Sequence, residues 1–192
     1  MPERQPQQHT QQSDGRHTRQ SGEHRWALVV TVSNRASAGV YEDTSGPVVT
    51  EGLRSYGFQV DGPLVVPDGD PVEEVLRDAV AAGYDVVVTN GGTGLSPLDL
   101  TPERTARVLD YEVPGVPEAI RAAGVAKGIA TSVLSRGLAG VAGRTFVVNL
   151  PGSPGGARDG VVVLGGFLTH AVDQLQGKDH PRPPETSART RP

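Results

Sequence analysis

The clearest chemistry in this chain lies between Thr89 and Glu103, TNGGTGLSPLDLTPE. Gly91, Gly92 and Gly94, with Thr93 among them, precede a carboxylate, Asp99, and a helix start at Thr101-Pro102-Glu103. Glycines bring backbone N–H groups close to an anion, and a helix N-terminus adds partial positive charge. That order describes a site for a phosphorylated ligand. A carboxylate there repels phosphate unless a divalent cation lies between them, so Asp99 points to Mg²⁺ coordination or general-base work. The plain alternatives are a loop that needs positive φ and binds nothing, and an Asp99 that closes an Asx turn.

A second segment, Val147 to Asp159 (VVNLPGSPGGARD), repeats the logic of strand, Gly/Pro turn and capped helix. Pro151, Gly152 and Ser153 would hold another phosphate or carboxylate there, or would form no more than a tight loop with an ordinary cap. Asp68 follows a strand and falls at the same sheet edge, whereas neighbouring Asp70 reads as a helix N-cap. Arg136, between Ser135 and Gly137, would neutralise phosphate charge or be an ordinary surface arginine. Other nucleotide-binding solutions are missing from the sequence. The two lysines, Lys127 and Lys178, are followed by Gly and Asp, so there is no P-loop. The loop after the first strand lacks G-x-G-x-x-G, and no G-x-S-x-G elbow occurs.

These residues need a scaffold that delivers strand ends to one edge. Trp26–Val32 is a continuous apolar run, expected as a strand buried on both faces and followed by a polar loop, Ser33–Asp43. A helix is expected from Thr44 or Ser45 to Gly57, then a strand over Phe58–Val66 broken by Gly62-Pro63. Asp70-Pro71-x-Glu73 opens a helix that stops at Gly83. Val86–Val88 is the third strand, and Thr101–Leu109 and Val116–Val125 are helices. Leu134–Val141 and Thr145–Leu150 are expected as strands joined by a tight turn. Ser153-Pro154 begins a helical region to about Leu175, loosened at Gly165-Gly166. Such alternation predicts a three-layer α/β/α sandwich with a mostly parallel sheet, whose ligands sit at the strands' carboxyl ends.

Composition sets the limits. Residues 1–25 contain six Gln and none of Val, Ile, Leu, Phe, Tyr or Trp, and residues 177–192 contain four prolines. Both are expected to be disordered tails around one domain at 26–176. That domain holds ten basic and seventeen acidic residues, a net of −7, which argues against duplex nucleic acid as the main partner. With no cysteine there is no disulfide or thiolate chemistry, and four of the five histidines lie in the tails, so a histidine zinc site is not expected. The polar amino terminus is no signal peptide, and no apolar run is long enough to span a membrane; the cytoplasm is the expected location.

GGTGLSPLDLTPE after a strand resembles the signature of the molybdenum-cofactor biosynthesis family of MogA, MoaB and the gephyrin and Cnx1 G domains. The resemblance continues in TVSNRASAGVYEDTSGP (Thr31–Pro47), PDGDPV (Pro67–Val72), SRGLAGVAGRT (Ser135–Thr145) and NLPGSPGGARDG (Asn149–Gly160). It covers about residues 26–176 and is nearest to the Mog branch of actinobacteria. It implies a molybdopterin adenylyltransferase that joins molybdopterin and ATP, with Mg²⁺, to adenylyl-molybdopterin and pyrophosphate. It further implies a homotrimer and hand-over of product to a MoeA-type molybdenum-insertion protein. Residue by residue, Gly91, Gly92, Thr93 and Gly94 match the phosphate and pterin loop. Asp99 matches the acidic residue of D-x-T-P-[ED], and Asp68 the other functional aspartate. Ser33, Asn34 and the Pro151-Gly152-Ser153 turn match the mouth of the ligand site, and Ser135 and Arg136 fall in a further matching segment. Asn90 departs mildly from small hydroxyl residues, with no functional consequence expected. The alternatives are a MoaB-type protein that binds pterin or a precursor without transferring AMP, and a scaffolding module.

Overall fold

The computed structural model describes residues 24–178. The amino- and carboxyl-terminal segments expected to be disordered lie outside the described residues, apart from residues 24–25 and 177–178. The chain runs β1 (Arg25–Val32), α1 (Asn34–Ser37), α2 (Gly46–Ser55), β2 (Phe58–Val66), α3 (Asp70–Ala81), β3 (Val86–Asn90) and α4 (Thr101–Ala106). It continues with β4 (Tyr111–Glu112), α5 (Gly115–Ala126), a 3₁₀ turn (Ala130–Leu134), β5 (Ala139–Ala142), β6 (Thr145–Leu150), α6 (Pro154–Gly165) and α7 (Leu168–Leu175). The six strands form one sheet in the order β2-β1-β3-β6-β5-β4. β2, β1, β3 and β6 are parallel, while β5 and β4 add an antiparallel edge.

Strand alternation divides the core in two. Ala27, Val29, Val86, Val88, Phe146, Val148 and Leu150 pack on one face with Val49 and Leu53 of α2, Ile120 of α5, Leu164 of α6 and Leu168 of α7. Leu28, Val30, Val87 and Val147 face the other way, onto Val72, Leu76 and Ala79 of α3. The result is the expected three-layer sandwich, with apolar residues on both faces of the central strands. At about 25 cal/mol per Å² each fully buried valine or leucine contributes some 1.5–3 kcal/mol, so this double core dominates stability.

Local expectations needed correction in four places. β2 is not broken at Gly62-Pro63; it continues with a bulge, the pairing to β1 shifting between Leu28 and Val30. Gly62, at φ 93, is required because a side chain would run into the Val29 carbonyl. The cap of α3 is Gly69 at φ 101, and Asp70 sits in the first turn, paired with Arg104 of α4 at 2.9 Å. The strand expected over Leu134–Val141 shrinks to Ala139–Ala142, because Leu134 ends a 3₁₀ turn and the Arg136 amide after it bonds to the Thr93 carbonyl rather than to β6. The polar loop Ser33–Asp43 contains the short helix α1, capped by Ser33, whose hydroxyl accepts from the Ala36 amide at 3.1 Å.

Candidate active site

The two glycine segments meet. β3 and β6 are neighbours in parallel register, Asn90 opposite Leu150, so both chains leave the sheet side by side. The Gly91 amide donates to the Leu150 carbonyl at 3.1 Å, and a Cβ placed on Gly152 would lie 3.0 Å from the Gly91 Cα. Gly91 and Gly92 have φ values of 109° and 63°, and a side chain on Gly91 would strike the Val32 carbonyl at the end of β1. Three strand ends are therefore pressed together at the point where only glycine fits. Among the described residues, the amides of Gly92, Thr93, Gly94, Gly152 and Ser153 donate to no protein acceptor.

Three cavities open around Gly92. The first, about 330 Å³, is lined by Gly92, Thr93, Gly94, Asp99, Ser135, Pro151, Gly152 and Ser153 with Arg121 and Asp159, and has an apolar side of Ile120, Ile129 and Leu134. The second, about 450 Å³, is lined by Ser33, Arg35, Tyr41, Asp43, Gly91, Gly92, Gly152 and Ser153. The third, about 390 Å³, holds Ser33, Asn34, Arg35, Asp68, Gly92 and Asp99. Asp99 faces the first and third cavities, and Ser33 the second and third.

The acidic residues differ in how they are used. One Asp99 oxygen, Oδ2, accepts from the Ser96 amide at 3.1 Å, closing a turn; Oδ1 has no acceptor role among the described residues. Asp68 is fully engaged: Oδ1 accepts from the Gly69 amide at 2.7 Å and the Thr101 hydroxyl at 3.1 Å, and Oδ2 from the Leu100 amide at 3.1 Å. The Asn34 side-chain oxygen accepts from the Asp68 amide at 2.9 Å, tying α1 to this loop. Asp43, which sequence reasoning missed, accepts from the Ser45 and Gly46 amides at 3.0 and 2.9 Å and from the Thr31 hydroxyl at 2.7 Å. An acid two residues before Ser45-Gly46-Pro47 was the available signal for a side-chain cap of α2. Asn90 has a structural part: fully buried, it donates to the Ser45 hydroxyl at 2.7 Å, tying the start of α2 to β3.

Arg136 lies behind the loop, on the wall of none of the three cavities. Its guanidinium donates to the Gly94 carbonyl at 2.7 Å, to the Asp99 carbonyl and to Glu103, while its amide donates to the Thr93 carbonyl at 2.8 Å. The Ser135 hydroxyl stands 3.4 Å from that of Thr93. Burial raises the Glu103 carboxyl, but the Arg136 hydrogen bond and a bond from its own backbone outweigh it, leaving the group below its ordinary value. Arg121 and Arg35, also missed, are the basic side chains on the cavity walls; nothing in R-A-A-G or N-R-A-S distinguishes them from surface arginines.

Residues 28–170 match the family model described as "Probable molybdopterin binding domain". The chain belongs to this family. Among its relatives, a molybdopterin adenylyltransferase from Helicobacter pylori is 34% identical over 78% of this chain and 86% of its own length. A molybdenum cofactor biosynthesis bifunctional protein from Chlorobaculum tepidum is 36% identical over 82% of this chain but 50% of its own length. The chain thus spans about half the length of the first curated relatives it matches. The solved molybdopterin biosynthesis Mog protein from Mycobacterium ulcerans is 53% identical, covers 79% of this chain and is itself covered to 99%, with a TM-score of 0.75. In this family member, no helix among the described residues is long and apolar enough to cross a membrane.

Proposed function

We propose that this protein is a molybdopterin adenylyltransferase, transferring AMP from ATP to the terminal phosphate of molybdopterin with release of pyrophosphate. The observation that carries the reading is the contact of Gly91 with Gly152. It brings two rows of free amides together at two adjoining cavities, with Gly92, Gly152 and Ser153 on the walls of both. Two anionic reactants fit two adjoining amide-lined cavities better than one ligand would. A molybdopterin phosphate oxygen attacks the α-phosphorus of ATP, forming a new P–O bond as the bond to the departing pyrophosphate breaks. Such a transfer depends on positioning and charge neutralisation.

Thr93 and Gly94 line the first cavity alone, while Gly92, Gly152 and Ser153 stand between the first and second and would serve both reactants. Asp68 holds the stretch that carries Asp99, and Ser33 and Asn34 shape the mouth. No cluster of three metal-ligating side chains occurs among the described residues, so a cation here would take its remaining ligands from substrate and water. That suits Mg²⁺, which binds through one or two carboxylates plus substrate phosphates, and the unengaged Oδ1 of Asp99 is the residue atom to hold it. When bound, Mg²⁺ would neutralise phosphate charge. A homotrimer, a cytoplasmic setting and onward delivery to a MoeA-type protein belong to the same reading.

The test is direct: purified protein with molybdopterin, ATP and Mg²⁺ should yield adenylyl-molybdopterin and pyrophosphate in equal amounts. Binding of molybdopterin without product, where an authentic adenylyltransferase turns over, would move the protein to the binding-only class.

A further inference from the structure

We infer that Arg35, steadied by Tyr41, is the side chain that grips the polyphosphate end of the nucleotide; this rests on the adenylyltransferase reading. The starting point is a charge imbalance. The cavities around Gly92 present Glu42, Asp43, Asp68, Asp99 and Asp159, and backbone amides offer only partial charges to a triphosphate. Three guanidinium groups stand near enough to matter. Arg136 is committed to the Gly94 and Asp99 carbonyls and to Glu103. Arg121 donates to the Ser135 carbonyl at 3.2 Å and lines only the first cavity. Arg35 donates to no protein acceptor among the described residues, and it lines both the second and third cavities.

The Arg35 guanidinium carbon lies 4.6 Å from the centre of the Tyr41 ring, cation–π range, which restrains the side chain while leaving its N–H fork unpaired. The backbone is braced as well: the Arg35 carbonyl accepts from the Val40 amide at 2.9 Å, bringing Tyr41 back toward α1. A planar fork held ready between the Asp99-bearing cavity and the Gly152-Ser153 turn is suited to bidentate contact with adjacent phosphates. The hydroxyl of Ser33, which caps α1, fixes where that fork begins.

The experiment is calorimetric titration of the full chain and of Arg35→Gln with ATP, inorganic pyrophosphate and AMP in the presence of Mg²⁺. ATP and pyrophosphate should bind Arg35→Gln about tenfold to a hundredfold more weakly, the range of one charge-assisted contact, whereas AMP should change less than about threefold. Tyr41→Ala should weaken ATP in the same direction by a smaller factor, since it frees the arm without removing the charge. Equal ATP affinity for wild type and Arg35→Gln overturns the inference, and so does an AMP loss as large as the ATP loss. Wild type that binds neither ATP nor pyrophosphate would instead remove the adenylyltransferase reading itself.

Discussion

Gly92 and Asp68 share one space. A side chain on Gly92 would land on the Asp68 carboxylate and the Thr101 hydroxyl, so the bend can carry that carboxylate directly behind it only because position 92 is bare. The carboxylate, in turn, caps the Leu100 and Thr101 end of α4 from 32 residues away in sequence. Two features that look independent along the chain, a glycine loop and an acid after β2, are one structural unit.

Gly92→Ala should therefore fail twice. Its φ of 63° costs an alanine about 1–2 kcal/mol, and displacing Asp68 leaves the Leu100 amide without its acceptor for about 1–3 kcal/mol more. We expect a fall in melting temperature of several degrees and loss of AMP transfer. A variant that melts with the wild type would mean that Asp68 and Gly92 are not packed as described.

Asp99→Asn separates chemistry from architecture. An asparagine oxygen still accepts from the Ser96 amide, so the turn survives, but the negative charge does not. Turnover should fall by at least about a hundredfold while molybdopterin affinity and melting temperature stay close to wild type. If turnover is unchanged, Asp99 does nothing more than close its turn.

Much of this was legible because it is local. Apolar runs, glycine stops and Pro-initiated helices place β1, β3, α3 and α6, and a strand followed by a glycine turn marks both halves of the site. What escaped depends on partners distant in sequence. Asp70 has the type and spacing of an N-cap, yet Gly69 takes that place and Asp70 reaches Arg104. Arg136 reads either as a neutraliser of phosphate charge or as an ordinary surface arginine, but its acceptors include two carbonyls about forty residues earlier that no local pattern announces. β4 is two residues long, too short for any periodicity, and is defined by pairing with β5 alone.

Arg136 should thus behave as a latch on the Gly94–Asp99 loop. Arg136→Lys keeps the charge but cannot span two carbonyls and Glu103 with one ammonium group. In Arg136→Lys and Arg136→Ala, hydrogen exchange at the Ser96 and Leu100 amides should accelerate by at least about tenfold, with turnover reduced in parallel. Exchange at the wild-type rate in both variants would show that the loop holds itself.

At the opposite end of the sheet, Asp173 of α7 accepts both Arg25 contacts at the start of β1, at 2.8 and 2.9 Å. The Arg25 hydrogen bond, and after it that of Lys178, hold the Asp173 carboxyl below its ordinary value of 3.8. A folded-state value below the unfolded one means that the unfolded chain takes up the proton first as pH falls. The stabilisation is then fully present above 3.8 and disappears as pH drops through the lower folded value. Both partners are partly exposed, so the melting difference between wild type and Asp173→Asn near neutrality should be only about one to two degrees. That difference should hold down to about pH 5 and close below it. Glu73, held low chiefly by Arg77, titrates in the same direction in both proteins and cancels in the comparison. If the gap stays constant to about pH 2, the shape of Asp173 rather than its charge secures α7 to the sheet.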